Sequence, residues 1–220
     1  MNDRLDTKTR ILDAAEKLFG MSGFDSTSLR DITAEAQVNL AAVNYHFQSK
    51  DSLMEAVICR RIEPVNRRRL ELLEATGDNP TVDQILRAFL IPVIVELNVI
   101  SVAPLLGRAL ADPNQFLERI FRTQFAPLAQ RFAEALGRAL PELPPAEIVW
   151  RQHFMVGGMT HLLMWRPYLK EMTGGLCDSS DRAALLEHAV AFFGAGFRAP
   201  AYRERPAGSR QEERLVAERN

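Results

Sequence analysis

Sulfur chemistry has little to work with in this chain. Only Cys59 and Cys177 occur in 220 residues, and neither has a neighbour at metal-ligand spacing, so a disulfide framework and a thiolate metal site are not expected. Long apolar runs are missing too. The best stretch, Phe89 to Val95, is short and carries Pro92, well below the roughly 18 residues that a membrane-spanning helix needs. The N-terminus opens on Asn2, Asp3, Arg4 and Asp6 with no apolar signal-peptide core, which predicts a cytoplasmic protein with no membrane partner. An excess of either charge is also lacking, the formal net charge being −1 and the pI about 6.4. Even the first sixty residues set seven basic side chains against nine acidic ones. The broad positive field that draws many proteins to nucleic acid is therefore absent. Any DNA binding has to come from a few placed cations and helix N-termini. No Gly-rich phosphate loop, clustered Cys/His set or nucleophile motif is present, so neither an enzyme nor a cofactor or metal site is expected.

What remains is helical. With 47% hydrophobic and 25% charged residues the composition is that of an ordinary soluble protein. The apolar spacing is helical almost throughout, with no strand-like alternation of useful length. Thr7 to Met21 carries Ile11, Ala14, Ala15, Leu18 and Phe19 on one stripe and ends at Gly23. Ser28, with Asp31 three residues on, caps a second helix to about Ala36. Gln37 and Val38 make a tight turn, Asn39 caps a third helix to about Phe47, and Ser49 caps a fourth that continues to about Ala75 with a bend at Pro64. Further helices are predicted at about 81–99, 102–111, 113–139, 145–169 and 181–198. The spacing thus predicts an all-α chain. Residues 4–64 form an N-terminal three-helix helix-turn-helix domain, residues 65–200 a helical bundle, and residues 201–220 a disordered tail rich in Arg, Glu, Pro and Gly.

Ser28 to Phe47 is the informative segment. Two short helices joined by a brief turn cross steeply, so the second can enter a major groove while the first lies across the backbone. In the third helix Ala42, Val43 and Phe47 pack inward, leaving Leu40, Ala41, Asn44, Tyr45 and His46 outward. Small residues at its start permit close approach to bases, and Asn44 can pair with a base edge. Tyr45, His46, Lys50, Thr27 and the start of the second helix, with Ser28, Arg30 and Asn39, are candidates for phosphate and positioning contacts. The same geometry occurs in all-α proteins that never meet DNA, and a helical partner-binding module would also fit the second half.

The pieces Arg10-Ile11-Leu12-Asp13-Ala14-Ala15, Leu18-Phe19, Gly23-Phe24, Thr27-Ser28, Ile32 and Ala36 come first. Val43-Asn44-Tyr45-His46-Phe47-Gln48-Ser49-Lys50 and Leu53 follow. Together they resemble the DNA-binding domain of the TetR family of bacterial regulators. Gln37 departs from that pattern, which usually has glycine in the turn. The resemblance implies a homodimer on palindromic operator DNA, usually a repressor released by a small ligand. It further implies that the last two long helices form the dimer interface, with Gly158, Leu162, Trp165, Ala189 and Phe193 as candidates. An apolar ligand pocket in the bundle would draw on Phe89, Val93, Leu97, Leu106, Phe121, Phe125, Arg151 and Phe154, with Arg108, Arg122 or Arg151 holding an acidic head. For each apolar residue plain core packing is the better reading, and each arginine reads equally well as a surface charge. Leu143 to Glu147, Trp150-Arg151, His153-Phe154-Met155 and Phe192 to Ala199 look like the branch responding to long-chain fatty acids. That makes a fatty acid or its CoA thioester the leading ligand, and an aromatic or drug-like molecule acting on an efflux regulator the alternative.

Overall fold

The computed structural model describes residues 2–96 and 115–202. The expected helix at 102–111, Leu97, Leu106, Arg108 and the tail beyond Tyr202 lie outside the described residues, as does the Phe116 side chain. Among the described residues every regular element is helical. Helix α1 runs Asn2–Ser22, α2 Leu29–Ala36, α3 Leu40–Phe47, α4 Lys50–Glu74 and α5 Val82–Ile91. Helix α6 spans Gln115–Ile120, α7 Ala126–Ala139, α8 Pro145–Met172 and α9 Arg182–Arg198.

Side-chain capping sets five of the nine described helix starts. Ser28 and Asp31 form a reciprocal capping box, with Ser28 N–H donating to Asp31 Oδ2 at 2.8 Å. Thr81 and Gln84 form another at the start of α5. Asn39, Ser49 and Asp181 each accept from a backbone N–H in the first turn of the helix that follows. Each such cap stabilises its helix by about 1 kcal/mol. Helix α4 passes through Pro64 and α8 through Pro167 without interruption.

The expected single helix over 81–99 is divided. Regular α-bonding ends at Ile91, and Pro92–Glu96 forms a π-helical turn. Pro92 has no amide hydrogen, so it cannot continue the regular ladder. A second π-turn, Phe121–Phe125, separates α6 from α7. Helix α8 outruns its predicted end at 169 and closes at Met172.

Two apolar cores result. The first gathers Ile11, Ala15 and Phe19 of α1, Ile32 of α2, Val43 and Phe47 of α3, and Leu53, Val57, Ile58 and Ile62 of α4. The second gathers Val65 and Leu73 of α4 with α5, α7, α8 and α9. In it the Phe89 and Phe132 rings meet edge-on at 5.1 Å, worth about 0.5–1.5 kcal/mol beyond area burial. Helix α4 contributes to both. The chain near α6 crosses over: Ile120, with no exposed surface, belongs to the first core although it comes from the second half of the sequence.

Candidate nucleic-acid interface

Polar contacts tie α1 to α2 and to α4 around the packed α3. Arg10 of α1 donates to the carbonyls of Ala36 at 2.5 Å and Gln37 at 2.8 Å, holding the C-terminal end of α2. Lys17 pairs with Glu35 at 2.6 Å. Arg60 of α4 reaches Asp13 at 2.7 Å, and Arg61 reaches Glu16 at 2.7 Å. Burial pushes the Glu16 carboxyl up, but hydrogen bonds from Arg61 and Arg60 outweigh it and hold the group below its ordinary value. None of these four arginine and lysine contacts was prominent in the sequence, because each pairs residues far apart in the chain.

The turn between α2 and α3 rests on a strained residue. Gln37 sits in the left-handed region at φ 54°, and its own N–H and that of Val38 satisfy the last carbonyls of α2. A side chain there costs roughly 1–2 kcal/mol relative to glycine. Gln37→Gly is expected to raise stability by about 0.5–1 kcal/mol, a cost in unfolded-state entropy included. Urea titration measures it, and an unchanged or lower midpoint contradicts it.

On α3, Val43 and Phe47 are buried while Leu40, Ala41, Asn44 and Tyr45 are exposed and His46 is half-buried against the Phe47 ring. Tyr45 and His46 meet edge-on at 5.1 Å. Lys50, the first residue of α4, holds its ammonium 4.2 Å over the Phe24 ring. It also helps keep Asp31 ionised, after the larger effect of the Ser28 hydrogen bonds. Arg30 is exposed on α2.

Thr27 needs correcting. It is buried, and its hydroxyl donates to the carbonyl of Gly23 at 2.8 Å, so it fastens the turn before α2 and does not offer its side chain to a phosphate. Ser28 and Asn39 have their side-chain oxygens committed to the helix caps. Their part in any interface is to aim the helix N-termini. Elsewhere, Cys59 is half-buried and burial pushes its thiol up to about 11, which makes it a poor nucleophile. Among the described residues no group of three or more His, Cys, Asp or Glu side chains could hold a metal ion. No described helix is long and apolar enough to cross a membrane.

Comparison with known proteins agrees with this arrangement. Residues 11–57 match the model of "Bacterial regulatory proteins, tetR family", and residues 98–196 match "Tetracyclin repressor-like, C-terminal domain". The chain belongs to the TetR family. Its N-terminal part is 40% identical over 55 residues to a probable HTH-type transcriptional regulator, YttP, of Bacillus subtilis, covering 25% of this chain and 27% of that protein. It is 32% identical over 74 residues to the nicotine-responsive transcriptional repressor HdnoR of Paenarthrobacter nicotinovorans, covering 34% and 38%. The matched segment thus spans well under half the length of these relatives. At the level of fold the likeness extends over most of the chain. The hemolysin II transcriptional regulator HlyIIR superposes with a TM-score of 0.60 at 20% identity, over 86% of this chain and 97% of that one. A TetR-family regulator from Mesorhizobium loti gives 0.62 at 17% identity, over 88% and 96%.

In the TetR-type second domain the candidate pocket residues part company. Phe89 and Val93 are buried in the second core. Phe121 is half exposed, and Phe125 packs against the first core. Phe154 is 68% exposed and stacks on Trp150, because its helical register puts it on the outer face of α8. Arg151 donates to Glu147 at 2.7 Å and to the carbonyls of Phe197, Ala199 and Pro200 at the end of α9. It caps a helix and has no hydrogens left for a head group. Arg122 is exposed on the π-turn beside Glu118.

The candidate dimer residues also divide. Trp165 is exposed and Leu162 half-buried, whereas Ala189 is buried within the chain's own core. Phe193 lies across Gly158, whose missing Cβ would meet the ring at 3.1 Å. That glycine lets α8 and α9 of the same chain approach. The outward aromatic face is instead Trp150, Phe154, Trp165, Tyr168 and Phe192, the first four at helical spacing along α8.

Proposed function

We propose that this protein is a transcriptional repressor that binds a two-fold-symmetric operator as a homodimer and is released by an apolar ligand taken up in the second domain. The observation that carries it is the capped α2–α3 corner, with Leu40, Ala41, Asn44 and Tyr45 outward over buried Val43 and Phe47, in a segment matching the tetR-family model. Helix α3 would lie in the major groove with Asn44 at a base edge. Tyr45, His46, Lys50 and Arg30 would hold phosphates, since the segment lacks a general positive field.

The outward aromatic face of α8 and α9 supports dimerisation, as a patch of this kind rarely stays open to water in a monomer. The ligand is read as apolar from the composition of the second core, with a long-chain acid or its CoA thioester in first place. HdnoR, named as nicotine-responsive, shows that one relative responds to a compact heteroaromatic, so calorimetry should include that shape.

The test is fluorescence anisotropy with DNA flanking the protein's own gene. Asn44→Ala should cost about 1–3 kcal/mol on the preferred site and little on random DNA, whereas Lys50→Ala should weaken both alike and reduce the salt slope by about one. Equal losses for Asn44→Ala on both DNAs would take it out of the base-reading set. Absence of any preferred site in that DNA would count against the autoregulated operator.

A further inference from the structure

Arg69 is a charged side chain in an apolar core. It belongs to α4, is 5% exposed, and sits among Phe89 of α5 and Met159 of α8. Its guanidinium lies 3.8 Å over the Phe89 ring. Nε donates to the carbonyl of Phe89 at 2.9 Å, one Nη to Asn66 Oδ1 at 3.3 Å, and the other Nη contacts the Met159 sulfur at 3.6 Å. A guanidinium has five N–H donors. Among the described residues it finds two oxygens and a thioether, and no carboxylate.

Several other arginines of this chain are treated differently. Arg60, Arg68, Arg87, Arg119 and Arg198 each meet an Asp or Glu side chain. Arg69 meets none, and burial alone pushes its pKa down to about 9, so at neutral pH it still carries its charge. An uncompensated buried charge is strongly unfavourable, and such groups are found paired or bound to something that neutralises them.

The surroundings suit an incoming anion with an apolar body. Asn66 is buried beside Arg69 and ties α4 to the π-turn through the Gln124 carbonyl at 2.7 Å. The Phe89 carbonyl lies just before the other π-turn, opened by Pro92. Met159, which touches Arg69, and Met155 one turn before it belong to the same core, and methionine side chains re-pack more readily than branched ones.

We propose that Arg69 is the receptor for the acidic head of an apolar monocarboxylate seated between α4, α5 and α8. This rests on reading the protein as a ligand-released regulator, and it names the ligand's chemical class and the residue that recognises it. The carboxylate takes the two unused N–H donors of the guanidinium, and the apolar body displaces Met155 and Met159. Because Arg69 is on α4, the helix that also enters the first core, an anion bound there acts directly on the element leading to α2 and α3.

The experiment compares matched pairs that differ only in the head group: dodecanoate with 1-dodecanol, and 2-naphthoate with 2-naphthol. Calorimetry on the full-length protein and anisotropy on its operator are read side by side. At least one acid should bind ten or more times tighter than its alcohol, Arg69→Met should erase that preference, and Arg69→Lys should keep part of it. Circular dichroism checks that the variants fold; the acid-against-alcohol comparison on the native protein stands without them. Equal affinity of acid and alcohol, an acid preference that survives in folded Arg69→Met, or no binding of either acid overturns the proposal. If those results come from protein that binds operator, the regulator reading survives; if dodecanoate or 2-naphthoate binds with the stated preference but no operator binding exists, the anion site survives and the regulator reading falls.

Discussion

The double variant Phe154→Glu, Phe192→Glu should sediment as a monomer and lose operator affinity by about a hundredfold or more. These two aromatics are 68% and 76% exposed, so replacing them removes little that the folded chain uses, and circular dichroism should remain native-like. Their loss acts on association alone, since each added carboxylate would have to be buried against its symmetry mate without a partner. The expected drop in DNA affinity follows from linkage of two recognition helices. Once one α3 occupies a half-site, the second binds at high effective concentration, which commonly contributes 10²–10⁴ in avidity. Phe193 and Ala189 are poorer positions for this test: the one lies on Gly158 and the other is buried in the chain's own core, so their replacement would confuse unfolding with dissociation. A dimer mass that survives in sedimentation velocity shows that subunits meet elsewhere. A monomer that keeps full operator affinity shows that pairing is not needed for recognition.

The parts legible in the sequence are those set by local chemistry. Ser28 with Asp31, Asn39 and Ser49 announce three helix starts because a hydroxyl or amide oxygen next to an apolar-periodic run has one good use, to accept an orphan N–H. The inward face of α3 follows from the spacing of Val43 and Phe47. Positions fixed by turn geometry or by distant partners were not legible. Thr27 reads as a surface hydroxyl until the Gly23 carbonyl is placed 2.8 Å away. Arg151 reads as a head-group cation until α9 ends beside it. The π-turn at Pro92 could have been anticipated from proline's missing donor. Arg69 could have been found too. The buried positions Ile58, Ile62, Val65, Arg69 and Leu73 form one stripe on α4, but the run Arg67-Arg68-Arg69 invites a reading as solvated charge. Its middle member does sit on the surface with Glu71 and Glu96, while the next residue turns inward.

Ile120 is the second position where a large effect is expected. It has no exposed surface, and it fills a place in the first core beside residues of α1 and α4 while belonging to α6 of the other half. Next to it Arg119 donates to both oxygens of Glu55 at 2.7 and 2.8 Å; with the guanidinium half exposed, that two-pronged pair contributes about 1 kcal/mol, less than a fully buried isoleucine side chain. The apolar contact is therefore the stronger tie between α6 and the helix-turn-helix domain. Ile120→Ala removes three carbons from a close-packed site and should destabilise by about 2–5 kcal/mol, whereas Ile120→Val should cost about 0.5–1.5 kcal/mol. The two should differ in where the loss falls. Both tryptophans, Trp150 and Trp165, lie on the outward face of α8, so their fluorescence reports on that helix of the second domain and its surface, while far-UV circular dichroism follows every helix. In urea, Ile120→Ala should bring forward the dichroism change that leaves tryptophan emission native, exposing a separate early transition of the first domain. Coincident transitions shifted by the full amount would mean that the two cores unfold as one unit. A shift no larger than that of Ile120→Val would mean that the site collapses around the smaller residue and that Ile120 is not the tie the packing indicates.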